Sequence, residues 1–209
     1  MILDNTEITS LEKIYRANLI NSLGGFKSLV LIGTKSNRDK ENIAPFSSFF
    51  HLGADPALCG IIVKPCEPKQ NTLGNIIGRR QYTINHVLPV FYKQAHQCSA
   101  KYEEGTSEFK EVNLTPQYIE GITAPFVLES KVKFACEFVQ KIDIELNGTF
   151  LIIGKIVKII VPDHVVSTDG FVNLEMAGTV TCSGLDSYHT TRQLARLSYA
   201  KITEPIQEL

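Results

Sequence analysis

The chain has 209 residues, 44% of them hydrophobic and 21% charged, enough for one domain with a full core and far from the composition of disordered or fibrous chains. Its 21 Lys and Arg face 22 Asp and Glu, a formal net charge of -1, so it lacks the positive surplus that phosphate-backbone binding needs, and nucleic acid is not an expected partner. Five cysteines (Cys59, Cys66, Cys98, Cys136 and Cys182) contain no CxxC pair, which argues against a disulfide framework or a zinc ribbon and for reduced thiols in a cytoplasm.

The opening MILDNTEITS carries acids where a signal peptide carries a basic and then an apolar stretch. No later run approaches ~18 uninterrupted apolar residues, so neither secretion nor a membrane span is expected. Thr9 and Glu12 have capping-box spacing, and Leu11, Ile14, Tyr15 and Leu19 share one side of a helical wheel before Gly24-Gly25; this predicts a helix over 10–22. Short apolar, β-branched runs predict strands over 28–34, 46–52 and 57–64. Residues 71–80 open with good N-cap types and predict a helix, followed by a strand over 82–88.

From 98 to 123 the chain is polar and turn-rich, which predicts surface loops, one short helix and no share of the core. KIDIEL (141–146), the pair Asn147-Gly148 and the long β-rich run 149–161 form the strongest hairpin signal, with a type I′ turn expected. That return strand is apolar on both sides, with Phe150, Ile152, Ile156 and Ile160 on one and Leu151, Ile153, Val157 and Ile159 on the other. One core covers one face, so a homodimer is expected to cover part of the second. Residues 179–182 predict one more strand, and 192–199 a short helix or extended segment. With no repeat and no linker, the expectation is a single domain over 1–209, mainly β with peripheral helices, its sheet closed as an antiparallel barrel.

Neither GxGxxG nor GxxxxGK[ST] nor GxSxG occurs, so a Rossmann fold, a P-loop and a hydrolase elbow are not expected. His96 and Cys98 lie two apart without a second pair at ligand spacing, and His51, His86 and His164 are isolated, so no metal site is expected. The informative stretch is NIAPFSSFF (42–50), followed by Asp55-Pro56 and later by KQNTLGNI (69–76). Alone, Pro45 reads as the start of an edge strand, Phe46, Phe49 and Phe50 as core, and Ser47-Ser48 as small strand residues. Together, an Asn-Ile-Ala-Pro loop, two hydroxyls, a helix start at Asn71-Thr72 and the charges of Lys64 and Lys69 suit a ligand with a planar hydrogen-bonding head, a polyol and a terminal phosphate. FMN has that shape.

These residues resemble the flavin reductase-like, FMN-binding split-barrel proteins, which include reductase components of two-component monooxygenases and the flavoredoxins. The family's N-x-A-P-F-S-x-F loop matches Asn42, Ala44, Pro45, Phe46, Ser47 and Phe49; its T-x-x-N-I helix start matches Thr72, Asn75 and Ile76. A following V-N-like step is similar to Ile84-Asn85, and a closing Y-A-K to Tyr199-Ala200-Lys201. Lys69-Gln70-Asn71 stand where Arg-His or Lys-Asp is common, and Lys64 where Arg often stands. The resemblance implies a Greek-key antiparallel split β-barrel, a homodimer, and FMN near the subunit interface. The cofactor-binding set it implies is Asn42, Ala44, Pro45, Phe46, Ser47, Ser48, Phe49, Lys64, Lys69, Asn71, Thr72 and Asn75, with the phosphate near Lys69, Asn71 and Thr72.

The activity it implies is a flavin reductase that moves a hydride from NADH or NADPH to flavin. No acid or base side chain is then required, since the cofactor performs the transfer. The alternative is an FMN-binding electron carrier or flavin-dependent sensor, with a flavin-using oxygenase or an electron-transfer protein as partner. Strand alternation places only one of Ser47 and Ser48 toward the flavin; Phe46 and Phe50 enclose the Ser48 side, which makes Ser47 the better side-chain contact. Tyr188-His189, Arg192 and Arg196 read as a solvated face and stay outside the site.

Overall fold

The structure, a computed structural model, describes residues 1–65, 71–103 and 106–209. Cys66, Lys69 and Gln70 lie outside the described residues. In chain order the elements are α1 (Asn5–Ser10), α2 (Lys13–Leu23), β1 (Lys27–Ser28), β2 (Val30–Lys35), β3 (Glu41–Phe46), β4 (Phe50–Ala54), β5 (Ala57–Val63), α3 (Asn71–Arg79), β6 (Gln81–His86), α4 (Tyr92–Gln97), α5 (Glu108–Glu111), β7 (Pro116–Ile119), β8 (Ile122–Val127), β9 (Lys133–Ile144), β10 (Thr149–Ile160), α6 (Leu174–Ala177), β11 (Thr181–Ser183) and β12 (Ser187–His189). Seven strands form one antiparallel sheet in the order β3-β2-β6-β9-β10-β5-β4, and β1-β11-β12 and β7-β8 form two small ones.

Alternation along the strands sends two sets of apolar residues to two cores. Val30 and Ile32 of β2 meet Ile61 and Val63 of β5, Tyr82 and Ile84 of β6, Phe134 of β9 and Ile152 of β10 in one buried cluster. Strands far apart in the sheet order thus share one interior, so the sheet curls around it. Leu29, Leu31 and Ile43 point the other way, into a second core with Phe91, Phe109, Leu114, Val127 and Val180. Inside the barrel Cys59 and Cys136 approach to 3.6 Å between sulfurs, and burial pushes the neighbouring Tyr82 phenol far above its ordinary range. A Cβ on Gly154 would lie 1.9 Å from the Tyr82 hydroxyl, so this position admits no side chain. On β10 the even-numbered apolar residues turn inward, whereas Val157 and Ile159 stay exposed.

Five expectations need correction. The first helix is two: Asp4 and Glu7 form the capping box of α1, and Glu12 caps α2 through the N–H groups of Ile14 and Tyr15. Neither helix buries a residue. The strand expected over 46–52 is broken, since β3 ends at Phe46 and β4 starts at Phe50. The polar stretch 98–123 supplies core after all, with Phe109, Val112, Leu114 and Ile122 buried. The hairpin turn is not type I′, because Gly148 has positive φ and Asn147 does not; Asn147 and Gly148 both donate to the Ile144 carbonyl in a longer loop. Of the two forms expected for 192–199, the helix is absent, and the segment is non-helical with one bridge at Leu197. Among the described residues no helix is long and apolar enough to cross a membrane.

Candidate functional site

β3 is a free edge of the large sheet, and its sequence manages that edge. The outward N–H of Ile43 donates to Glu108 Oε2 at 3.4 Å, and Pro45, two residues on, has no N–H to offer. Burial raises the Glu108 carboxyl pKa, while its main-chain hydrogen bonds lower it. Ala44, Pro45 and Phe46 pair with Ile32, Leu31 and Val30 of β2. Ser47 is the first residue beyond this protected stretch.

Here the ladder changes character. Phe50 pairs with Gly60, and the same register carried two residues further sets Ser48 opposite Ile62. Ser48 makes that rung with its side chain: Oγ donates to the Ile62 carbonyl at 2.9 Å and accepts from the Ile62 N–H at 3.1 Å. One hydroxyl satisfies both groups of Ile62, so the main chain of Ser48 is released from the sheet. Among the described residues, Ser47, Ser48 and Phe49 form no main-chain hydrogen bond. Phe46 and Phe49 hold the segment down by packing on the barrel core, with the Phe49 and Phe134 rings 5.7 Å apart. The result is a short stretch of donors and acceptors at a fixed place, suited to a planar hydrogen-bonding group.

At the other end of β3 four buried polar side chains join. Asn42 Nδ2 donates to Thr34 Oγ1 at 3.2 Å and to Thr72 Oγ1 at 3.1 Å, and Asn75 Nδ2 donates to Thr34 Oγ1 at 3.0 Å. This network pins the start of α3 to β2 and β3, and it leaves the Thr72 O–H proton to donate elsewhere. The first turn of α3 carries no acid, which suits an anion at its N-terminal N–H groups. Lys64 is exposed just past β5; Asn71 is the first residue of α3. Five residue steps of extended chain lead from Asn42 to Ser47, about 16.5 Å at 3.3 Å per residue. The two polar groups therefore suit one elongated ligand with a flat head and an anionic tail.

A family model described as "Flavin reductase like domain" matches residues 23–176. The chain belongs to this flavin reductase-like family. A flavin reductase-type split-barrel protein from Shewanella frigidimarina NCIMB 400 is 46% identical, superposes with a TM-score of 0.92, and is covered over 100% of its length by 96% of this chain. Nitrilotriacetate monooxygenase component B from Bacillus cereus shares the fold at a TM-score of 0.83 and 19% identity, over 94% of this chain and 98% of that one. Flavoredoxin of Desulfovibrio vulgaris (Miyazaki F) does so at 0.69 and 19%, over 85% and 91%. The fold is the family's mainly β split barrel.

The surroundings of Cys182 escape the sequence reading. Burial raises the Cys182 thiol pKa, whereas Lys27 and the adjoining Ser47 hydroxyl lower it. Cys182 pairs with Tyr188 across β11 and β12, and the Tyr188 hydroxyl is hydrogen-bonded to His96 Nδ1. Tyr188, read from sequence as part of a solvated face, is half-buried and pairs directly with Cys182. No local signal joins positions so far apart in the chain. Arg196 does lie on the surface, paired with Asp169.

Proposed function

We infer that this member of the flavin reductase-like family is an FMN-binding flavin reductase that takes reducing equivalents from NADH or NADPH. The observation that carries the reading is the Ser48 rung, which frees the main chain of 47–49 while fixing it in place. Those freed groups would bind the edge of the flavin ring. Thr72, held by Asn42, would donate to the phosphate together with the N-terminal N–H groups of α3. FMN, when bound, would supply the two-electron redox chemistry for oxidation of the nicotinamide. The chain's own task is to seat the ring, leave one face open and fix the phosphate; none of this needs a proton-transferring side chain.

The protein would work as a homodimer with FMN near the subunit interface, which the exposed Val157 and Ile159 of β10 support. The free thiols of Cys59, Cys98, Cys136 and Cys182 support a cytoplasmic setting. Anaerobic addition of NADH, then NADPH, to the FMN-loaded protein tests the activity: the yellow absorption bleaches within turnover time with at least one donor. Bleaching by dithionite but by neither nicotinamide would instead establish the flavoredoxin-like electron carrier. Failure to retain or titrate FMN at all would reject both.

A further inference from the structure

The chain exposes 13,188 Å², whereas a compact monomer of 23.3 kDa exposes roughly 9,700 Å². The excess, about 3,500 Å², is of the size that intertwined, obligate dimers bury. Residues 199–209 are all exposed and lie outside the family match at 23–176.

Beyond Arg196 the chain folds back on itself. Leu197 bridges Glu208 and Lys201 bridges Glu204; Ser198 N–H donates to Gln207 O at 2.8 Å, and Leu209 N–H to Arg196 O at 2.9 Å. The base is moored by Arg196, which pairs with Asp169 at 2.5 Å and lies over the Phe171 ring at 4.1 Å. Past the mooring the hairpin's large apolar side chains stand in solvent: Tyr199 is 89% exposed, Ile202 107% and Leu209 73%. A lone two-stranded hairpin is marginal in water, and one that presents large apolar side chains needs a surface to lie on.

We propose that this C-terminal hairpin is an arm that packs on a second copy of the chain. The proposal rests on the homodimer reading above and adds which segment builds the interface. A second copy is the occupant because donor and acceptor surfaces belong to the same molecule: the arm supplies apolar side chains, and Val157 and Ile159 of β10, 39% and 66% exposed, supply an apolar face left only partly covered. A two-fold axis satisfies both needs twice.

The test uses the full chain and its double variant Tyr199→Asp/Ile202→Asp, compared by sedimentation velocity across a dilution series. Both positions are almost wholly solvated within one chain, so the subunit fold does not depend on them. The wild type should run as a dimer, and the double variant should raise the dissociation constant by on the order of tenfold or more. An unchanged constant overturns the arm while leaving the homodimer intact; a wild type that runs at 23.3 kDa throughout the micromolar range overturns both. A photo-crosslinking residue at position 199 gives an independent readout. Adducts of twice the chain mass support the arm, and adducts confined to one chain overturn it.

Discussion

Ser48 and Ser47 are adjacent, chemically identical and structurally unlike. Removing the Ser48 hydroxyl leaves the Ile62 N–H and C=O without a partner, so Ser48→Ala should cost about 1–3 kcal/mol. Ser47→Ala should stay within about 0.5 kcal/mol, because its hydroxyl serves no main-chain group of the sheet. Urea unfolding of both variants checks this, and a larger loss for Ser47→Ala would contradict the rung. The sequence made Ser47 the more available hydroxyl, but by treating 46–52 as one strand with alternating faces. A break in a strand leaves no mark in the residue pattern when a hydroxyl stands in for the missing rung. Thr72 and Asn42, by contrast, were singled out in the sequence and meet in one buried network, whereas Thr34, which joins Asn42 to Asn75, looked like one more strand residue.

Among the elements, α5 shows how four residues can matter more than their pattern suggests. Phe109 is fully buried among Leu31, Ile43 and Val127, while Glu108 beside it caps the edge of β3. Phe109→Ala should therefore cost about 3–5 kcal/mol, and it should loosen the strand whose far end carries the Ser47 segment. Lys110→Ala, on the solvent side of the same turn, should leave the urea midpoint almost unchanged; equal losses in the two variants would refute this assignment. The sequence hid α5 because a single inward phenylalanine in a polar stretch has no period to detect. The opposite error occurs at α2, whose apolar residues suggested a buried face although Ile14 is 68% exposed. Strong, long patterns fared better: the β9–β10 hairpin and the division of β10 into two faces followed directly from alternation.

For the molecule as a whole, acid sensitivity should pass through His86. Burial lowers its pKa from 6.5 to about 4, and its Nδ1 makes only a long contact, 3.5 Å, with Thr179 Oγ1. Because the folded value lies below the unfolded one, the unfolded chain binds a proton between these pH values that the folded chain refuses. Stability from this residue is thus full above about pH 6.5 and falls to a loss of roughly 3 kcal/mol by pH 4. Urea midpoints for the wild type and His86→Gln at pH 7 and pH 4.5 isolate the effect: the variant should show the shallower acid loss, and parallel losses would exclude His86 as the source. Nothing in the sequence distinguished His86 from the other single histidines; its burial is a product of tertiary packing. The family-level fold, in contrast, was legible from motif order along most of the chain.

The vacancy at Gly154 has a consequence for how the long hairpin finds its pairing. β10 is apolar along nearly its whole length, and such a strand could slide against β9 and β5 with little change in hydrophobic contact. The Tyr82 hydroxyl occupies the only place where a Cβ on Gly154 would project. A slip of one residue in either direction would bring Ile153 or Lys155 over the phenol, and both carry side chains. The missing methyl thus works as a notch that accepts one alignment of the strand and refuses its neighbours.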